Sequence, residues 1–404
     1  MSTEIDWSSF RYSDPVHSRE PEPICKAMLD AGVVHSDLWD GYWIVSSYDQ
    51  VLHAYQTPEV YTSYPNHIPA AASTEEGSGL GSVGRLIPNE IDLPDHTGYR
   101  RILAEPFSPA TVRQYEPFVR ERTAELLAPI LENGGGEFIS AFTTPLPSEI
   151  WCKLMGVPAS DAVAAVEWAY TIFHGDPDSP DGGMEIRAKA GFEIYAYLNG
   201  LVEERKKNPG DDLLSYLMSA KFNGERELRL DEILNTSFFI LGAGLDTTKG
   251  QLGFALHYLA THPEQRRKLV ENPEIMPTAV EELLRIHAPV TPGRTLSEDS
   301  EIGGVTVKKG EHVLLMPPAA NFDPVAFPDP DTVDLCRNPN RHLAFGAGIH
   351  RCTGSHLARL TMRAALEVLH ELMPDYRLDP DKDTVFEPYP VRGVKELHLL
   401  VGSG

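Results

Sequence analysis

From Asp231 to His262 the chain keeps helical spacing while staying apolar on nearly every side, until Pro263 stops it. A surface helix carries one apolar stripe, whereas a helix that is apolar all round has to lie inside the protein. Asp231 and Glu232 suit its first turn, where carboxylates meet the positive end of the helix dipole. The fold is therefore expected to be built around this segment as a central helix.

The remaining segments fit a mainly α body with small β-sheets. Residues 41–64 read as a strand followed by a helix, 65–95 as irregular, and 110–132 as a helix. Residues 145–173 and 184–208 read as helices on either side of the loop HGDPDSPDGG, a surface turn or a mobile lid. After a helix near 274–287, EIGGVTVKKGEHVLLMP reads as a hairpin of short strands. A proline-rich coil over 317–341 follows, and beyond Gly354 a long helix runs until Pro374. At 404 residues the chain exceeds an ordinary single core. It has no internal repeat and no polar linker, so residues 1–404 are expected to form one domain.

Composition removes several function classes. A formal charge of −24 repels nucleic acid phosphates and anionic membranes. No apolar run reaches the roughly 20 residues of a membrane span, and MSTEIDWSSF has no signal-peptide pattern, so a cytoplasmic protein is expected. Cys25, Cys152, Cys336 and Cys352 are scattered without a CxxC pair, which argues against a disulfide framework or a structural zinc site. One stretch departs from the overall charge. Residues 335–366 hold arginines 337, 341, 351, 359 and 363 and no Asp or Glu.

Four motifs could carry chemistry. GSGLGSVG (77–84) has the GxGxxG spacing of dinucleotide loops, but neither a strand before it nor a helix after it is legible, so a flexible loop is favoured. In ILGAGLDTTKG, glycines and threonines sit mid-helix, where propensity disfavours them. Two readings stay open there. In one, small residues let a flat ligand approach and free a threonine hydroxyl; in the other, they mark a helix crossing with back-bonded threonines. Glu282 and Arg285 in EELLRIHAP are spaced to pair on one helix face, by default as an exposed pair contributing at most about 1 kcal/mol.

The fourth motif is HLAFGAGIHRCTGSHLAR (342–359). Its glycines can bring backbone close to something flat, and Cys352 precedes a helix start where amide N–H groups and the dipole stabilise a thiolate. Packing, a nucleophile partnered by His350, and a ligand to some cofactor all remain compatible with the residues alone.

FGAGIHRCTGSHLAR resembles the haem-binding signature of cytochrome P450 monooxygenases. Three further motifs are similar to that family and occur in its order: His96-Thr97-Gly98-Tyr99-Arg100, Ala243-Gly244-Leu245-Asp246-Thr247-Thr248, and Glu282-Leu283-Leu284-Arg285. The resemblance is closest to the soluble bacterial members that include the camphor hydroxylase. It implies the cytochrome P450 fold, with the long central helix over haem b, and insertion of one oxygen atom of dioxygen into a small hydrophobic substrate, typically as hydroxylation. Cys352 would ligate the haem iron, and His96, Arg100, Arg294 and His350 would meet the propionates. Ala243, Gly244, Phe345, Gly346 and Gly354 would also contact the haem. Asp246 and Thr247 would deliver protons, Glu282 and Arg285 would form a buried structural pair, and Phe239, Gly242 and Val290 would line the substrate pocket.

The chain ends 52 residues after Cys352, so electrons are expected from an external ferredoxin, [2Fe-2S] or similar, and its reductase, drawing on NAD(P)H. The arginine island suits docking of such an acidic protein. A monomer without nucleic acid or membrane partners is expected. A haem-thiolate binding or sensor protein without turnover is the alternative. Two residues depart from the family's pattern: Lys249, a charge just after the Asp-Thr-Thr run, and Phe322, which interrupts a basic run in the coil.

Overall fold

The computed structural model describes residues 5–11, 21–39, 41–64, 84–175, 184–387 and 391–402. The helices that frame the site are α1 (Tyr48–Gln56), α2 (Asp95–Ala104), α3 (Glu116–Glu132), α4 (Pro145–Met155), α5 (Ala162–His174), α6 (Met184–Lys207), α7 (Leu230–Thr261), α8 (Met276–Ile286) and α9 (Ser355–Leu372). As its composition requires, α7 is the central element. Twenty-two of its residues are buried, and it packs on α4, α5 and α6 along one side and on the C-terminal hairpin along another. Glu232 secures its start by accepting the Arg229 amide at 2.7 Å. The helix runs unbroken through Gly242, Gly244, Thr247 and Thr248.

The β structure is small. One sheet of five strands runs in the order β1 (Val34–Ser36), β2 (Tyr42–Val45), β5 (His312–Leu315), β4 (Gly293–Leu296), β3 (Tyr61–Thr62). Strands β6 (Val385–Glu387) and β7 (Gly393–Glu396) form the antiparallel hairpin that lies against α7.

Two expectations change. The single helix over 145–173 is two, because Gly156 takes a left-handed φ of 69° and Pro158 follows it, ending α4 in a Gly cap. In the stretch read as one hairpin, only Ser300–Ile302 and Val305–Val307 pair with each other. The next strand, β5, leaves them to run parallel to β2 and antiparallel to β4, since Val313, Leu314 and Leu315 are fully buried and need cover on both faces. Gly79 and Gly81 of the GxGxxG stretch, and residues 176–183 of the loop after α5, lie outside the described residues.

The arginine island is also largely neutralised within the fold. Arg337 reaches Glu282 at 3.2 Å, Arg359 reaches Glu281 at 2.6 Å, and Arg363 reaches Glu116 at 2.8 Å. Arg341 and Arg351 are exposed and have no ion pair among the described residues.

Candidate active site

The loop before α9 is shaped by its glycines. Gly346 and Gly348 have φ of 63° and 64°, and a Cβ at Gly348 would collide with the carbonyl oxygen of Tyr55 on α1. The Cys352 amide donates to the Phe345 carbonyl at 2.9 Å, which closes the loop and holds the sulfur just ahead of α9. Burial pushes the Cys352 thiol pKa up, while a Gly354 N–H and the charges of Arg100, Arg351 and Arg359 pull it down without cancelling the rise. Cys352 keeps exposed surface and lines a cavity.

That cavity has a volume of about 350 Å³ and lies between the Cys352 loop and α7. Phe345, Gly346, Cys352 and Gly354 line one wall, and Phe239, Gly242, Ala243, Gly244, Thr247 and Thr248 line the opposite one. Val290 and Val391, joined by an isolated β-bridge, contribute a third side. His96, Arg100, Arg294 and His350 converge at one edge. Segments more than 250 residues apart in sequence, such as His96 and His350, thus meet around one cavity.

The edge group is short of partners. His96 and His350 face each other with ring centroids 4.3 Å apart, and the Nε2 of each is buried without a hydrogen bond. Burial lowers the pKa of both, and takes that of His96 to about 3. Asp92 Oδ1 is 3.7 Å from His350 Nε2, too far for a hydrogen bond. Arg294 is 5% exposed, donates to the Gly293 carbonyl at 2.7 Å, and has no ion pair among the described residues. Buried cations and orphaned ring nitrogens are costly unless an anionic group meets them. Arg100 is tied instead to the cysteine loop, through the Arg351 carbonyl at 2.7 Å and the Thr353 hydroxyl. A thiol lining a cavity, with cationic and hydrogen-bonding groups at one rim, fits haem: a ligand for the iron and partners for the propionates.

On the opposite wall the Thr247 hydroxyl donates to the Ala243 carbonyl at 2.7 Å, and Gly242 accommodates the Phe173 ring, to which an added Cβ would come within 2.9 Å. Both features of the helix-crossing reading are present in a segment that also walls the cavity. Asp246 does not line the cavity. It points to the far side of α7, where His174 Nε2 and Lys249 Nζ reach its two oxygens at 3.0 and 2.9 Å. Glu282 and Arg285 are both fully buried and paired at 2.8 Å, which replaces the exposed-pair default.

Some participants escape sequence reasoning. Tyr55 lies under Gly346 and 5.7 Å from the Arg294 guanidinium, Phe173 fills the groove at Gly242, and His174 and Glu387 join the Asp246 group. Only Lys249, as a charge out of pattern, offered a signal for the last of these.

A family model described as cytochrome P450 matches residues 184–393. The chain belongs to the cytochrome P450 family. It is 34% identical over 368 residues to a methyl-branched lipid omega-hydroxylase of Mycobacterium tuberculosis, covering 89% of this chain and 83% of that protein. The 6-deoxyerythronolide B hydroxylase of Saccharopolyspora erythraea is 31% identical over 398 residues, covering 95% and 93%. Among solved structures, a myxobacterial cytochrome P450 in complex with myristic acid superposes with a TM-score of 0.88 at 30% identity, covering 97% of this chain and 99% of that one. As a cytochrome P450 the protein is a haem-dependent monooxygenase, with haem b as cofactor, dioxygen as co-substrate and reducing equivalents from NAD(P)H through redox partners. Among the described residues no helix is long and apolar enough to cross a membrane.

Proposed function

We propose that Cys352 is the proximal thiolate of the haem, that His96, His350 and Arg294 hold its propionates with Arg100 beside them, and that Asp246 and Thr247 manage the protons of dioxygen activation. The observation behind this is the placement of Cys352 and Thr247 on opposite walls of one cavity with the cationic edge group between them. Bound there, haem supplies the redox centre at which dioxygen is reduced and one oxygen atom is passed to the substrate. Cys352 contributes an anionic sulfur whose donation is moderated by the Gly354 amide. Gly346 and Gly348, with their left-handed φ, let the loop pass close to Tyr55. Thr247 offers a hydroxyl at the wall that now donates to Ala243 and can turn outward.

Replacing Thr247 with alanine tests the turnover part of this reading. Haem content and substrate binding should persist, while product per NAD(P)H falls by about a hundredfold and hydrogen peroxide accumulates, the lower end of the usual range for a lost proton-transfer group. A protein that only binds or senses a ligand would show no such change in coupling.

The substrate is a small hydrophobic organic molecule, in keeping with a wall of Leu86, Ile172, Phe173, Phe238, Phe239 and Val290. Phe239, Gly242 and Val290 are assigned to contact it. Residues 1–404 act as one domain, a cytoplasmic monomer, and electrons come from a [2Fe-2S] or similar ferredoxin and its reductase. With three island arginines already paired, docking of an acidic ferredoxin falls to Arg341 and Arg351. Changing both to glutamate should slow ferredoxin-driven reduction at low salt while leaving dithionite reduction alone. Unchanged ferredoxin kinetics would remove this docking site.

A further inference from the structure

Lys249 is where the chain leaves the family's sequence pattern, and its surroundings give it a role. Its ammonium lies 2.9 Å from Asp246 Oδ1 and 2.8 Å from Glu387 Oε2. His174, the last residue of α5, takes the other oxygen of Asp246 at 3.0 Å, and the Tyr170 ring stacks on His174 with centroids 4.5 Å apart. Side-chain exposure is 6% for Asp246, 4% for Glu387, 10% for His174 and 11% for Lys249. His174, Asp246 and Glu387 present ligand atoms within 4.8 Å of one another, the spacing of a metal site, but the lysine ammonium already supplies positive charge there. Two buried carboxylates share the one ammonium, and the His174 imidazole supplies a further hydrogen-bonding partner to Asp246.

This group ties together α5, α7 and β6, and the first two, with Val391 beyond the third, wall the cavity. α5 contributes Ile172 and Phe173 to the wall, α7 contributes Thr247 and Thr248, and Val391 follows β6. Asp246 precedes Thr247 on α7, so whatever fixes its carboxylate fixes the group assigned above as the proton source for Thr247.

We propose that Lys249 and His174 are positioning residues for monooxygenation, holding Asp246 ionised on the outer side of α7 so that protons reach Thr247 through it. The proposal rests on the proton role assigned above to Asp246 and Thr247. Per oxygen inserted, dioxygen takes two electrons and two protons, and its second oxygen leaves as water. Each proton passes from the outer side to a carboxylate oxygen of Asp246 and on toward Thr247, returning Asp246 to the carboxylate that Lys249 holds. Glu387 anchors the ammonium when Asp246 turns away from it.

The test compares two oxidants on haem-loaded enzyme carrying Lys249→Met, Lys249→Arg, His174→Phe or Asp246→Asn. Dioxygen with NAD(P)H and a surrogate ferredoxin and reductase requires delivered protons, whereas hydrogen peroxide brings oxygen, electrons and protons together. Lys249→Met and His174→Phe should lower NAD(P)H-driven product by about tenfold, as expected for a misplaced catalytic group, and leave peroxide-driven product within about twofold. Lys249→Arg should restore most of the coupling. Where Lys249→Met folds poorly because two buried carboxylates lose their partner, Lys249→Met with Glu387→Gln removes one of those charges and should give the same split. Equal loss with both oxidants, or no loss with either, overturns the positioning role. If Asp246→Asn itself keeps full coupling, the proton assignment fails instead, which separates the two claims.

Discussion

Replacing Cys352 with alanine is expected to abolish NAD(P)H-driven product formation while leaving the fold in place. The side chain faces the cavity rather than the core, and the one backbone bond that closes its loop, from the Cys352 amide to Phe345, survives the change. What is lost is the anionic sulfur on which haem-thiolate chemistry depends. The other thiols provide the contrast. Cys25 and Cys152 are buried packing residues whose thiols burial pushes up to about 11 and about 12, and Cys336 is an exposed free thiol. Cys336→Ala should therefore keep full activity. Product assays alongside urea unfolding of the two variants make the comparison, and activity retained in Cys352→Ala would refute the assignment.

The second large effect falls on stability. Glu282 accepts from Arg285 at 2.8 and 2.9 Å, from the Asp334 amide and Asn340 at 2.9 Å, and from Arg337 at 3.2 Å. Arg285 also donates to the Asn321 carbonyl at 2.9 Å, and its guanidinium lies 5.4 Å from the Phe322 and Phe327 rings. This one carboxylate therefore fastens α8 to the coil over 317–341, directly before the Cys352 loop. Glu282→Ala strips two arginines of their counter-charge, and a broken buried pair costs about 3–5 kcal/mol. Set against typical stabilities of ~5–15 kcal/mol, the variant should lose much of its haem and unfold at clearly lower urea. A loss of under ~1 kcal/mol would mean the pair behaves like a surface one.

How much of this the residues announced depended on whether the signal was local. The central helix and the Cys352 loop were legible because composition and glycine placement act within a few residues. The break between α4 and α5 was also written locally, in Gly156 and Pro158, but the helical spacing on both sides masked it. The island's neutrality was not legible. Its arginines pair with Glu116, Glu281 and Glu282, which lie far away in sequence and arrive only through the packing of α3 and α8 against α9. Lys249 looked anomalous for the same reason: Glu387 lies 138 residues on and reaches it only once the β6–β7 hairpin closes against α7. Phe322, the other departure, proves to be a buried face for Arg285, which accounts for an aromatic residue at that position.

The central claim is that Cys352 supplies the iron's proximal ligand in a haem-dependent monooxygenase. The most direct measurement is the carbon monoxide difference spectrum of the dithionite-reduced, haem-loaded protein. A Soret band at the red-shifted position of thiolate-ligated haem is the expected result. A band at the position of histidine-ligated haem, or a protein that takes up no haem, would contradict it.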